Sequence, residues 1–144
     1  MNSHNDIIVM LIIGILSGLL STMNVWANKL DDIRISINDV YMSTLMTGWM
    51  FLFYGLYYKI TSQIYLGAIM VTISFICIRS QFLVDKNNFI NGMIPHHSMA
   101  IFMSKKLKSK NKEMTKFLDK IIDTQENEIN EMKAIPSKID HLII

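Results

Sequence analysis

The densest group of potentially reactive side chains in this 144-residue sequence lies in one short stretch of its second half. His96 and His97 are adjacent, and three methionines, Met93, Met99 and Met103, lie within about three helical turns of one another. Thioether sulfur is a soft ligand that prefers Cu(I), and imidazole binds copper in either oxidation state. The mixture therefore predicts a copper ion, with the two histidines as the main ligands and the methionines as sulfur donors.

Pro95 precedes the histidine pair and bears on its geometry. Successive residues on a regular helix point about 100° apart, so His96 and His97 bind one ion together only where the backbone departs from regularity. Proline removes a backbone hydrogen bond, here to the carbonyl of Asn91, so the helix either kinks at Pro95 or begins there. A helix that begins there favours neutral, metal-binding imidazoles, because the positive end of its dipole repels imidazolium.

A second predicted helix carries Gln125 at the centre of an otherwise apolar stripe. Burying a side-chain amide without a partner costs about 1 to 3 kcal/mol, so we expect Gln125 to contact His96 or His97. In an antiparallel helix pair, Gln125 would fix an imidazole tautomer, Glu128 would offer carboxylate oxygen and Met132 would add sulfur. The alternative is a buried hydrogen-bond network that only sets the register of the two helices. Both interpretations stay open from the sequence.

The residues after Arg79 show the 3.6-residue apolar period of two packed helices. Pro136 is predicted to end the second of them. The connection at residues 105–120 contains seven lysines against Glu113 and Asp119. It is either a solvated turn or a contact with anionic lipid headgroups, which contribute about 1 kcal/mol per basic residue near a membrane surface.

Three runs in the first half contain no charged side chain: residues 7–27, 40–58 and 60–78. At 1.5 Å per residue each run is long enough to cross the roughly 30 Å hydrocarbon layer of a bilayer. We therefore predict an all-α protein with a transmembrane region at 1–80 and a C-terminal helical hairpin at 81–144. A cleaved signal peptide is the alternative for the first run, but no lysine or arginine precedes it, which favours an uncleaved anchor.

Several function classes are excluded or weakly supported. The single cysteine, Cys77, excludes an intramolecular disulfide framework and a four-thiolate zinc site. The sequence has no Gly-rich phosphate loop, nucleophile elbow, paired Glu-x-x-His or Cys-x-x-Cys motif. A copper-dependent oxidoreductase is the least supported hypothesis, because no residues suggest an organic substrate site, and nucleic acid is not an expected partner.

Taken together, these motifs resemble the family of domain of unknown function 305 (DUF305). The resemblance implies a ferritin-like helical fold and copper handling, with the paired histidines and nearby methionines as ligands. The chain departs from the family at Lys86, where members often carry an acidic residue after the one at Asp85, so that pair is not expected to coordinate. The resemblance is carried by Met93-Ile94-Pro95-His96-His97-Ser98, Gln125, Glu128-Ile129 and Met132-Lys133-Ala134, and upstream by Met23-Asn24, Tyr41-Met42 and Arg79-Ser80-Gln81.

We therefore predict three transmembrane helices followed by a two-helix ferritin-like hairpin that binds copper for sequestration or tolerance. The expected partners are the lipid bilayer and copper, with a homo-oligomer as a further possibility. The alternative is a non-catalytic helical interaction or oligomerisation module in which the histidine pair belongs only to a buried hydrogen-bond network. The lysine and arginine distribution places the hairpin in the cytoplasm. The family resemblance implies export, so the side of the membrane stays open.

Overall fold

A computed structural model of the chain describes residues 3–107 and 110–140, with side chains from 6 to 135 within those ranges. The described part is entirely helical, as predicted, and forms two compact units. Unit 1 comprises Met1–Thr22 and Ser36–Val84, and unit 2 comprises Met23–Ile35 and Asp85–Ile144. The helices are α1 (Ser3–Leu20), α2 (Ile37–Tyr58), α3 (Thr61–Ser80), α4 (Lys86–Lys106) and α5 (Lys112–Asp140), with two short 3-10 turns at Met23–Trp26 and Leu30–Asp32.

The helices of unit 1 pack through small residues. A Cβ atom added to Gly67 on α3 would lie 2.4 Å from the backbone nitrogen of Leu52 on α2, so only glycine permits this approach. Ser43 and Thr47 on α2 are buried beside glycines of α1. Their hydroxyls donate to the carbonyls four residues earlier, at 2.7 and 2.8 Å, so these buried polar groups are satisfied within α2 itself.

The outer surface of unit 1 is apolar. Ile8, Ile12 and Leu16 on α1 are each more than half exposed, and Phe51 is the one large apolar side chain of unit 1 that is buried among the described residues. Two stretches, Asp6–Trp26 and Thr61–Ser80, are long and apolar enough to cross a membrane by length and composition, and few of their residues are buried. A core helix of a soluble protein would bury most of its apolar side chains instead.

The described residues contain two candidate membrane spans rather than the three predicted. The exception is the predicted span at 40–58, which lies within α2. That run is free of charge, but it carries Ser43, Thr44 and Thr47 as well as several tyrosines, and these side chains lower its mean hydropathy. The absence of charged residues was therefore too permissive a criterion for predicting a membrane span.

In unit 2, α4 and α5 form the predicted hairpin around a core of isoleucines. The helices are antiparallel, since the end of α4 lies beside the start of α5 and Met132 of α5 packs against the core near the start of α4. The core consists of Ile90, Ile94, Ile101 and Ile129, with Ile122 and Met132 packed against it. The ferritin-like relationship stays a prediction.

Neither proline sets a helix boundary where one was predicted. The start of α4 is fixed by Asp85, whose Oδ1 accepts a hydrogen bond from the backbone N–H of Asn88 at 2.7 Å, so Pro95 lies inside the helix. The alternative of a helix beginning at Pro95 is therefore wrong. The prediction that Pro136 ends the last helix is also wrong, because α5 continues to Asp140. A proline removes one backbone hydrogen bond, but the bonds on either side can carry the helix through it.

The segment Met23–Ile35 packs with the hairpin. The side-chain amide of Asn24 donates to the carbonyl of Arg34 at 2.7 Å and accepts from its N–H at 2.9 Å, which closes the segment into a compact loop. Trp26 contacts Phe102 of α4 edge to face, with ring centroids 6.4 Å apart. This segment therefore forms a third structural part of unit 2.

Candidate metal centre at the histidine pair

His97 lies between the two helices of unit 2. It is 9% exposed, and its Nδ1 atom is 3.0 Å from Oε2 of Glu128 on α5, an ion-pair distance without the alignment of a hydrogen bond. The amide of Gln125 donates to the same carboxylate oxygen at 3.2 Å. The structure thus brings together His97, Gln125 and Glu128, with Glu128 between the other two.

The surroundings of His97 favour its neutral form. Burial lowers the pKa of His97, the negative charge of Glu128 opposes this effect, and His96 lowers the pKa further. A metal ion binds the neutral imidazole, so the side chain is ready to act as a ligand near neutral pH. Because Nδ1 faces the carboxylate, Nε2 is the nitrogen available to a metal, as in carboxylate–histidine–metal arrangements.

His96 is exposed, and its ring centroid is 5.8 Å from that of His97. A metal–nitrogen bond is about 2 Å long, so two imidazoles on one ion have centroids separated by at most roughly 6 Å. The observed separation is within this limit. The separation is close to this limit, so a shared ion would need a near-linear arrangement of the two ring nitrogens.

The predicted sulfur donors do not gather at one point. Met93 precedes His96 by three residues and His97 by four, so it lies on the same side of α4 one turn away. Met99 follows His96 by three residues and is half-buried. Met103, by contrast, is 53% exposed and lines a groove at the end of the hairpin, which neither histidine lines.

Met132 lies on α5 one turn beyond Glu128, the residue that faces His97. It packs against the isoleucine core and lines a cavity with Ile90 and Ile94, in which neither histidine takes part. Within residues 3–107 and 110–140, no group of three or more His, Cys, Asp and Glu side chains is arranged to hold a metal ion. A site at the histidine pair would thus depend on imidazole nitrogen and methionine sulfur, a ligand set suited to Cu(I) rather than to zinc.

Residues 84–136 match the family described as Domain of unknown function (DUF305). The chain is also 43% identical over 140 residues to Uncharacterized protein L153 of Acanthamoeba polyphaga mimivirus, with 92% of each chain covered. This chain belongs to the DUF305 family. The DUF305 match covers α4 and most of α5, including the histidine pair, Gln125 and Glu128. No solved structure matches the chain.

A buried polar network, which sequence reasoning missed, attaches the preceding segment to the DUF305 helices. The hydroxyl of Ser98, fully buried next to His97, accepts from the backbone N–H of Asn28 at 2.8 Å and donates to Oδ2 of Asp32 at 2.7 Å. Asp32 is 2% exposed, and its other oxygen lies 2.7 Å from the ammonium of Lys133 on α5. Lys133 also forms an ion pair with Asp31.

Charge pairing favours the ionised forms of Lys133 and Asp31. Burial disfavours the charged ammonium of Lys133, but the bonds to Asp31 and Asp32 outweigh it and raise the pKa of Lys133. The hydrogen bond from Lys133 lowers the pKa of the exposed Asp31. The available sequence signal was the acidic pair in the polar link, together with a lysine one residue after Met132 on the packed side of α5.

Proposed function

We propose that this DUF305 protein is membrane-anchored and binds Cu(I) on its C-terminal hairpin, for sequestration or tolerance rather than catalysis. The observation that carries the proposal is the environment of His97. Burial favours its neutral imidazole, Glu128 lies against Nδ1, and the ring of His96 is 5.8 Å away between centroids.

The proposed ligands are the nitrogens of His96 and His97 and the sulfur of Met93, one helical turn away. Met99 is the alternative sulfur donor. Gln125 and Glu128 act as supporting residues, because Glu128 orients the imidazole and Gln125 donates to the same carboxylate oxygen. Met103 and Met132 are not part of the proposed ligand set, since they line other surfaces of unit 2.

The proposed anchor consists of Asp6–Trp26 and Thr61–Ser80. It is supported by the exposed apolar surface of unit 1 and by its contacts between helices, which use glycine, serine and threonine. Lipid-embedded helices associate through such small residues, because lipid provides no hydrophobic drive for burying large ones. An anchored chain stays in the membrane pellet after alkaline extraction, and release into the supernatant would contradict the anchor.

The copper proposal is tested by the metal content of the detergent-solubilised full chain after loading with Cu(I) under reducing conditions. The wild-type chain is expected to retain copper after desalting, and the double variant His96→Ala/His97→Ala is expected to lose it. Met103→Leu is the matched control, because it changes a neighbouring methionine outside the proposed site, and it should retain copper. Wild-type copper content in the double variant would refute the proposal.

The second candidate is a helical interaction module in which His97, Gln125 and Glu128 form only a polar cluster. It is favoured by the contacts that Glu128 makes with both His97 and Gln125. Thermal unfolding separates the two functions. Binding to the native state stabilises it by RT ln(1 + [L]/Kd), about 2.7 kcal/mol at a hundredfold excess over Kd, whereas a metal-independent module keeps its unfolding temperature when Cu(I) is added.

A further inference from the structure

An apolar groove lies at the end of the hairpin where α4 ends and α5 begins. Its floor is the buried Leu118, and Trp26, Met103 and Leu107 at its rim are each about half exposed. The groove is formed within unit 2 by the loop segment and both helices, and an occupant would meet an almost entirely apolar lining.

One cationic side chain lines the groove, and others follow it closely in the sequence. The ammonium of Lys106 lies 5.6 Å from the ring centroid of Phe102, which is the distance of a cation–π contact. Lys110, Lys112 and Lys116 are exposed on the connection and the first turns of α5. The occupant should therefore combine apolar groups with negative charge.

The first turns of α5 repeat this combination. Met114 and Phe117 are exposed apolar side chains, and they alternate along the helix with Lys112 and Lys116. An exposed phenylalanine and methionine among lysines are not expected in a turn that contacts only water. Surface-bound helices present such apolar and basic residues to the boundary between lipid headgroups and acyl chains.

The position of Trp26 in the chain points to lipid. Trp26 is the last residue of the candidate span Asp6–Trp26 and is also part of the rim of the groove. Tryptophan at the end of a membrane span prefers the level of the headgroups. A groove built on this residue is thus connected directly to the edge of the bilayer.

We infer that the groove docks on an anionic lipid surface, with Trp26, Leu107 and Phe117 at the acyl boundary and the surrounding lysines against headgroup phosphates. This inference rests on the membrane anchor of the proposed function and is independent of copper. It resolves the alternatives for the lysine-rich connection in favour of headgroup contact.

The test uses an environment-sensitive dye on a single cysteine of the full chain, in a Cys77→Ser background. Leu107→Cys places the dye on the groove. Phe89→Cys is the matched control, because Phe89 is similarly exposed on α4 but lies eighteen residues earlier, about 27 Å along the helix and outside the groove. Both variants are reconstituted in nanodiscs of phosphatidylcholine alone or with phosphatidylglycerol.

Docking predicts a blue-shifted dye emission at position 107 that a lipid-borne quencher reduces. The blue shift should be large with phosphatidylglycerol and smaller without it. No blue shift is expected at position 89. Equally solvated emission from both positions in anionic nanodiscs would overturn the inference. A shift at 107 that follows protein concentration rather than lipid charge would also overturn it, because the occupant would then be a second copy of the chain.

The lysines supply a second measurement. We expect the ratio of docked to undocked protein in anionic nanodiscs to fall about fivefold in each of the variants Lys106→Gln, Lys112→Gln and Lys116→Gln. This is the effect of one basic residue at an anionic surface. Lys86→Gln, at the other end of α4, should leave the ratio unchanged. Circular dichroism checks that each variant keeps its helical content, and a ratio indifferent to all three lysines would contradict the assigned surface.

Failure of this inference is separable from failure of the proposed function. A chain that resists alkaline extraction and retains copper, yet shows solvated emission at position 107, lacks only the docking. If alkali releases the chain, the anchor is wrong, and the labelled protein is mixed with preformed anionic vesicles instead. A blue shift at 107 then still supports the lipid-binding groove, and its absence rejects it.

Discussion

The two units of this chain bury opposite kinds of residue. The interior of unit 1 contains glycines and small hydroxyl side chains such as Ser43 and Thr47, and its outer surface is isoleucine, leucine and phenylalanine. Unit 2 buries isoleucines, including Ile94 and Ile101, and exposes most of its charged groups. The difference is the one expected if unit 1 lies in lipid, as proposed, and unit 2 lies in water.

The physical reason lies in what drives helices together in each solvent. In water, burial of apolar area provides the main favourable free energy, so large apolar side chains form the core. In lipid this drive is absent between helices, and close contact between small residues replaces it. Adjacent parts of one chain thus follow two packing rules.

The buried polar groups differ in the same way. In unit 1, the hydroxyls of Ser43 and Thr47 bond to carbonyls of their own helix. In unit 2, Asp32 bonds to Ser98, 66 residues away, and pairs with Lys133 on another helix. Local bonds satisfy polar groups without specifying a partner helix, whereas the network of unit 2 specifies which segments meet.

The largest expected effect comes from breaking that network. Asp32→Ala leaves Lys133 partly buried without its inner partner and Ser98 without its acceptor, so we expect a loss of about 3 to 5 kcal/mol in the free energy of unfolding of the hairpin. Amide exchange at Ile94 and Ile101 measures it. The matched control is Asp31→Ala, which removes the exposed partner of Lys133 and should cost much less. Equal losses in both variants would show that burial of the pair does not matter.

A smaller effect tests the contacts of unit 1. Gly67→Ala forces a methyl group against the backbone of Leu52 and Gly48, which should destabilise the packing of α2 on α3 by about 1 to 3 kcal/mol. Unfolding in mixed micelles with increasing dodecyl sulfate measures this change. Ile73→Ala, an exposed position on α3, removes a larger group and should have little effect. The reverse order would mean that unit 1 is held by burial of apolar side chains, as unit 2 is.

The sequence predicted those features of the fold that depend on local patterns. The apolar period after Arg79 predicted the hairpin, and the charge-free runs at 40–58 and 60–78 predicted helices where α2 and α3 lie. Errors arose where one local signal was given too much weight. Pro95 suggested a helix start although Asp85, followed three residues later by Asn88, was the stronger capping signal.

The candidate site could be predicted only in part. Gln125 was singled out because a polar side chain interrupted an apolar stripe, and in the structure its amide donates to Glu128 on the same helix, which in turn lies against His97. On a helical wheel, Met103 lies on the same face of α4 as the histidines. A helical wheel shows direction around the helix axis but not distance along it. The contacts of Asp32 with Ser98 and Lys133 join residues far apart in sequence, so no periodic pattern marks them.

The smallest expected effect is a pH dependence confined to unit 2. Burial lowers the pKa of His97, against the opposing charge of Glu128 and with help from His96, so the folded state prefers the neutral ring. The contribution of His97 to stability is therefore complete above about pH 6.5, the value in the unfolded chain, and is lost as the pH falls through the lowered folded pKa.

Amide exchange in α4 between pH 7.5 and pH 5 measures this loss. The acidic groups with lowered pKa values, Asp31, Asp85 and Glu126, titrate below this window. His97→Gln should flatten the slope in α4, and His96→Gln should largely preserve it because His96 is exposed. Exchange in α2 and α3 should not vary over the same window. A slope shared by both units would mean that one titration governs the whole chain, and the contrast in packing between the two units would then not extend to their ionisable groups.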